Sequence, residues 1–146
     1  MGVRTLRELK AYQATRAFKL EVYRLVASSP RATTDVRFRS QLLEAAAGAE
    51  VNIAEGFHRF LAGDFTHFLR ISRSSLEEAR VWIQDGIDRG YFTEEECSNA
   101  FKLADQATRL TVGLIVSLKP FVSPRRRHSL TSPGSISSPK KKRPPD

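Results

Sequence analysis

The chain has 146 residues, 40% hydrophobic and 27% charged, with a formal net charge of +8 at pH 7. That balance suits one domain with a real hydrophobic core and argues against a wholly unstructured or membrane-embedded chain; no apolar run approaches the roughly 18 residues of a spanning helix. Cys97 is the only cysteine, which excludes an internal disulfide framework and leaves a small core residue as its expected role.

The first ten residues mix charges and carry no apolar stretch of the kind a secretory signal needs, so a cytoplasmic location is expected. From there, apolar spacing near 100° per residue predicts four amphipathic helices. Ala14, Phe18, Val22, Leu25 and Val26 share one side of the first, which Ser29-Pro30 closes because proline disfavours helical backbone in the residue before it. Phe38, Leu42, Ala45, Ala49, Ile53 and Gly56 line the second, which runs to about Arg59. Phe65, Phe68, Leu69, Ser72, Leu76, Ala79, Ile83 and Ile87 line the third, with Asp64 as its N-cap and Gly90 as its C-terminal stop. The fourth starts at Thr93-Glu94-Glu95-Glu96, a capping box, presents Cys97, Phe101, Ala104, Thr108, Ile115 and Leu118 to the core, and ends at Lys119-Pro120. Short links between helices of similar length imply an all-α fold, an antiparallel up-down-up-down four-helix bundle over residues 1–122.

Residues 123–146 are different in kind. Arg125, Arg126, Arg127, Lys140, Lys141, Lys142 and Arg143 stand among Ser, Thr, Pro and Gly with one acid, Asp146, so this segment carries +6 and leaves only +2 for residues 1–122. Too few apolar groups are present to offset the entropy of ordering, and a disordered basic tail is expected. Its two clusters can neutralise nucleic-acid phosphates without regard to sequence; runs of this kind also serve as plain solubilising tails. On the body, Arg59, Arg70, Arg73 and Arg80 can extend a phosphate-facing surface, interrupted by Glu77.

Asn52 and Glu55 lie within one turn of each other beside the apolar stripe of the second helix. They read either as a polar site in an inter-helix groove or as a register-fixing network, with Glu55 paired to an arginine such as Arg73. Gly56 reads as a point of close helix approach. Glu55-Gly56-Phe57-His58 has the Glu-x-x-His spacing of di-iron bundles, but such a site needs two copies and two further carboxylates, and His58 falls opposite the apolar stripe. No metal, cofactor or catalytic residue is therefore expected, and neither a nucleophile elbow nor a phosphate-binding glycine loop is present. Ala47, Val51, Leu103, Leu110 and Leu114 lie outside the core stripes, and a helix apolar on two faces usually has two neighbours, so a homo-oligomer is expected.

The string Asn52-Ile53-Ala54-Glu55-Gly56-Phe57, with the spacing of Phe65, Phe68, Leu69, Ile71, Ser75-Leu76-Glu77 and Gly90-Tyr91, resembles a bacterial four-helix-bundle family that includes the 23S rRNA intervening-sequence proteins. The resemblance covers about residues 9 to 118. It implies a small cytosolic bundle, in some members a ring of five, and in a related branch the accessory protein of diversity-generating retroelements, where a basic oligomer binds a reverse transcriptase and nucleic acid. Asn52, Glu55, Gly56 and Arg59 match signature positions to which the family attaches no chemistry. The chain departs from the pattern in Ala49-Glu50-Val51, where Pro-Ser precedes the Asn, in Ser74 where Gly is common, and in its basic tail. The expected function is that of a non-enzymatic oligomer binding RNA or a ribonucleoprotein by charge. The alternatives are a protein adaptor without nucleic acid and a metal-assisted enzyme built around Asn52 and Glu55.

Overall fold

Helix boundaries follow local chemistry along most of the chain. The computed structural model describes residues 2–124, so Arg125, Arg126, Arg127, Lys140, Lys141, Lys142 and Arg143 lie outside the described residues. A one-turn 3-10 helix, Leu6–Glu8, leads into α1 (Lys10–Ser28), followed by the short α2 (Pro30–Thr34), α3 (Val36–Phe57), α4 (Ala62–Asp88), α5 (Glu94–Leu118) and a second 3-10 turn, Lys119–Phe121. Ser29 ends α1 as expected, and it also starts α2, its hydroxyl accepting from Ala32 N at 3.2 Å with Pro30 in the first turn, where a missing N–H costs nothing.

Gly90 stops α4 with φ +75°, a conformation that strains any residue bearing a Cβ. Tyr91 N then donates to Gly86 O (2.8 Å) and Gly90 N to Ile87 O (2.9 Å), the paired bonds of a Schellman motif. The turn is tied to α3 as well, because the Tyr91 hydroxyl donates to Asp35 Oδ2 at 2.6 Å while Asp35 Oδ1 caps Phe38 N at 3.1 Å. Thr93 caps α5 by accepting from Glu96 N at 3.1 Å; the return bond from a Glu side chain, the other half of the expected box, does not form among the described residues. The start of α4 corrects another expectation. Asp64 is not its N-cap: the helix begins two residues earlier, after extended Leu61, and Asp64 lies in the first turn, where its charge favours the exposed N–H groups.

The four long helices pack as α1 on α3, α3 on α4, α4 on α5 and α5 on α1, a square of antiparallel neighbours. The α1/α3 and α4/α5 seams therefore lie on opposite sides. Phe18, Val22, Leu25, Phe38, Leu42, Leu76 and Ile83 are fully buried in the main core, and Leu9, Ile53, Leu69 and Ile115 form a second cluster toward the end where α3 turns into α4. The buried stripe of α5 differs from expectation: it is Cys97, Ala100, Ala104, Ala107, Thr111 and Ile115, while Phe101, Thr108 and Leu118 are only partly buried. Alanines occupy the centre because α5 is flanked by both α1 and α4, and small side chains let those backbones come close; bulkier Leu103, Leu110 and Leu114 pack at the flanks. Much of the second apolar face of α5 is thereby satisfied inside one chain, whereas Val51 on α3 remains 62% exposed.

Gly56 does make the close approach expected of it. A Cβ there would stand 2.8 Å from Phe68 Cβ and 2.9 Å from Phe65 Cδ2, so α3 and α4 meet at this residue. Gly86 plays the same part at the other end, with Phe92 atoms 2.6 and 2.7 Å from where its Cβ would be.

Candidate nucleic-acid interface

The polar residues of the Asn52–Arg59 segment turn away from the helix contacts. Asn52 is half-buried and donates from Nδ2 to Gly48 O of its own helix (2.7 Å). Glu55 is exposed and accepts from Arg59 Nη2 at 2.7 Å, one turn on. It does not reach Arg73, because a residue 200° around the helix from buried Ile53 and 100° from buried Gly56 must point outward. Two other residues make buried inter-helix bonds near this segment. Buried Ser72 donates to Ala49 O (2.7 Å), joining α4 to α3. Glu50, buried in the α1/α3 seam, accepts from the Tyr12 hydroxyl (3.1 Å) and has Lys19 Nζ at 2.5 Å and Arg16 Nη1 at 3.5 Å. Tyr12, Arg16 and Lys19 recur at i, i+4 and i+7 on one face of α1, the signal that could have exposed this cluster.

No arrangement for nucleophilic or metal chemistry assembles around these groups. Glu55 and His58 are both exposed near the end of α3, and no cluster of three or more His, Cys, Asp or Glu suited to a metal occurs among the described residues. Cys97 is buried, and that burial, with the carboxylates of Glu96 and Glu21 adding to it, pushes its thiol up to about 11, so it stays protonated at neutral pH.

Of Arg59, Arg70, Arg73 and Arg80, the structure gathers two. Arg70 and Arg73, one turn apart on α4, line a groove along the α4/α5 seam with Val112, Val116 and Lys119 of the facing segment. None of these three cations has a carboxylate within salt-bridge distance among the described residues. Arg59 and Arg80 do. Arg59 is held by Glu55 and lies 5.0 Å above the Phe68 ring. Arg80 bonds Asp105 across the seam, has Glu77 at 3.9 Å and lies over Phe101. Their charges are largely offset where they stand. In the sequence Lys119 reads only as part of a helix terminator, although a cation at the C-terminal end of α5 also complements the helix dipole.

Toward the α3–α4 turn the groove opens into a pocket lined by Gly63, His67, Arg70, Lys119, Val122 and Pro124, with Asp64 and Thr66 beside them. The described chain ends at this pocket, and Arg125-Arg126-Arg127 follows Pro124 directly in sequence. The last groove cation, Lys119, thus precedes the first tail cation, Arg125, by six residues along the chain.

The model of the 23S rRNA-intervening sequence protein family matches residues 7–113, and the chain belongs to that family. No curated protein matches it. The matched span includes Arg59, Arg70, Arg73, Arg80 and Arg109 and stops short of Lys119 and the tail.

Proposed function

We propose that the protein is a non-enzymatic helical scaffold that binds RNA, or a ribonucleoprotein such as a reverse transcriptase with its RNA, by charge. The observation that carries this reading is the convergence of Arg70, Arg73 and Lys119, without carboxylate partners among the described residues, where the chain leads into seven further basic residues. Phosphates entering this surface displace condensed counterions, so affinity must fall steeply with salt, by about 0.7–0.9 units of log slope per phosphate contacted. The family's name associates it with intervening sequences of 23S rRNA, a setting that agrees with this reading. Assembly as a homo-oligomer, a pentamer by family resemblance, would multiply the tails and raise avidity without new contacts, and exposed Val51 and Val81 supply apolar surface for it.

The test compares the full chain with a variant whose seven tail cations are changed to Gln, titrated against a structured RNA at several salt concentrations. The expected outcome is a log-log salt slope smaller by about 5 for the variant. Equal slopes and affinities would overturn the reading. Absence of any RNA binding by the full chain would favour an adaptor role served by the exposed apolar positions.

A further inference from the structure

We infer that the α3–α4 end of the bundle is a stacking site for unpaired nucleotides, with Phe60 and Phe121 as the platforms. The inference rests on the electrostatic reading above and names the form of nucleic acid it favours. Phe60 is fully exposed in the turn before α4, and Phe121 is 73% exposed in the 3-10 turn after α5. The segments just after the two rings meet: Val122 Cγ1 lies 3.8 Å from where a Cβ of Gly63, in the first turn of α4, would be, and Gly63 and Val122 line one pocket. Leu61 and Val122, next to the two rings, are exposed as well. Single exposed apolar residues need no explanation, but two phenyl rings and two aliphatic side chains at one end of a small bundle form a patch that does.

The surroundings of the patch identify its occupant. Arg70 and Lys119 line the pocket between the two turns, His67 joins them, and Asp64 is the one carboxylate among the lining residues. The first tail cluster begins three residues after Val122. Exposed aromatic faces beside a cation-lined pocket match a strand that offers a base face and a phosphate at every step, which is how sequence-tolerant single-strand binders work. A duplex hides its base faces in the stack and offers phosphates, 2′-hydroxyls and base edges, none of which stacks on a phenyl ring. A second copy docked patch to patch about a twofold axis would bring the same cations against themselves.

The experiment uses the full chain and the double variant Phe60→Ser/Phe121→Ser, whose substituted rings are exposed, so that an unchanged thermal midpoint confirms folding. Probes are a labelled short oligo(U) RNA and the same strand paired with oligo(A). The wild type should bind oligo(U) more tightly than the duplex, and the double variant should lose about tenfold or more on oligo(U) with little change in salt slope and none on the duplex. Equal binding of both probes by the wild type, with no loss in the variant, would overturn the stacking site while leaving the electrostatic reading intact. No binding of either probe would remove both. A variant that changed sedimentation or binding to anionic vesicles, with oligo(U) affinity unaltered, would assign the patch to self-association or to a membrane surface and overturn the inference.

Discussion

Across the α1/α3 seam, Arg16 and Lys19 converge on the buried carboxylate of Glu50, which also accepts from Tyr12. Across the α4/α5 seam, on the opposite side of the bundle, Arg70, Arg73 and Lys119 share a groove in which Glu77 is the only carboxylate, and none of them pairs with it. Both seams look basic when residues are counted. The first consumes its charge in holding two helices together, and the second leaves its charge without carboxylate partners among the described residues. Pairing, not composition, therefore separates structural cations from candidate binding cations here, and Arg80, bonded to Asp105, marks the boundary on α4.

Several substitutions would break or sharpen that contrast. The largest effect on stability is expected at Glu50. Glu50→Leu leaves the mostly buried Lys19 ammonium without its counter-charge and should cost about 3 kcal/mol in denaturant unfolding, whereas Glu50→Leu with Lys19→Met should recover most of it. If the single and double variants were equally unstable, the seam would be held by packing and not by the ion pair. Next in size is Gly86→Ala, whose Cβ would collide with the Phe92 and Phe38 rings and should cost about 1–3 kcal/mol by the same assay without altering RNA affinity.

In the other seam, Asp105→Asn should release Arg80 toward the groove. RNA affinity is expected to rise a few-fold while stability falls by less than about 1 kcal/mol, as for other exposed pairs. An affinity that stayed constant would mean that Arg80 is out of reach of bound phosphate. The smallest effect concerns acid stability at the α2–α3 junction. The Tyr91 hydroxyl first, then Phe38 N–H and the Arg89 charge, hold the Asp35 carboxyl below its usual range. A depressed carboxylate contributes stability above its unfolded pKa, near 4, and loses it as pH falls through the lower folded value. Asp35→Asn should accordingly flatten the acid-side fall of the thermal midpoint below about pH 4, with little change in its shape above pH 5.

The sequence made the four long helices legible because their apolar spacing is regular and their ends carry strong signals, Ser29-Pro30, Gly90 and Thr93 above all. Gly56 was readable for the same reason, as a glycine on a buried stripe. The α5 stripe is poorly legible because Ala100 and Ala107 carry little hydrophobic weight, although the packing of α1 and α4 on either side needs their small size. Glu50 escaped notice because a carboxylate between apolar neighbours looks like a surface position until a second helix brings three partners to it. Arg80 and Asp105, 25 residues apart, could not be paired from the sequence, so paired and unpaired arginines looked alike. Arg59, Arg70, Arg73 and Arg80 therefore form one group by sequence, and the structure divides them.

The division is tested most directly by two triple variants that remove the same number of charges from the full chain. Arg70→Gln/Arg73→Gln/Lys119→Gln takes away the groove cations, and Arg16→Gln/Arg59→Gln/Arg80→Gln takes away cations already held by carboxylates. Measured against one RNA across a salt series, the first should lower the log-log slope by about 2, and the second should leave it nearly unchanged. Equal losses from the two variants would show that only net charge matters, and would contradict a binding surface set by which cations are left unpaired.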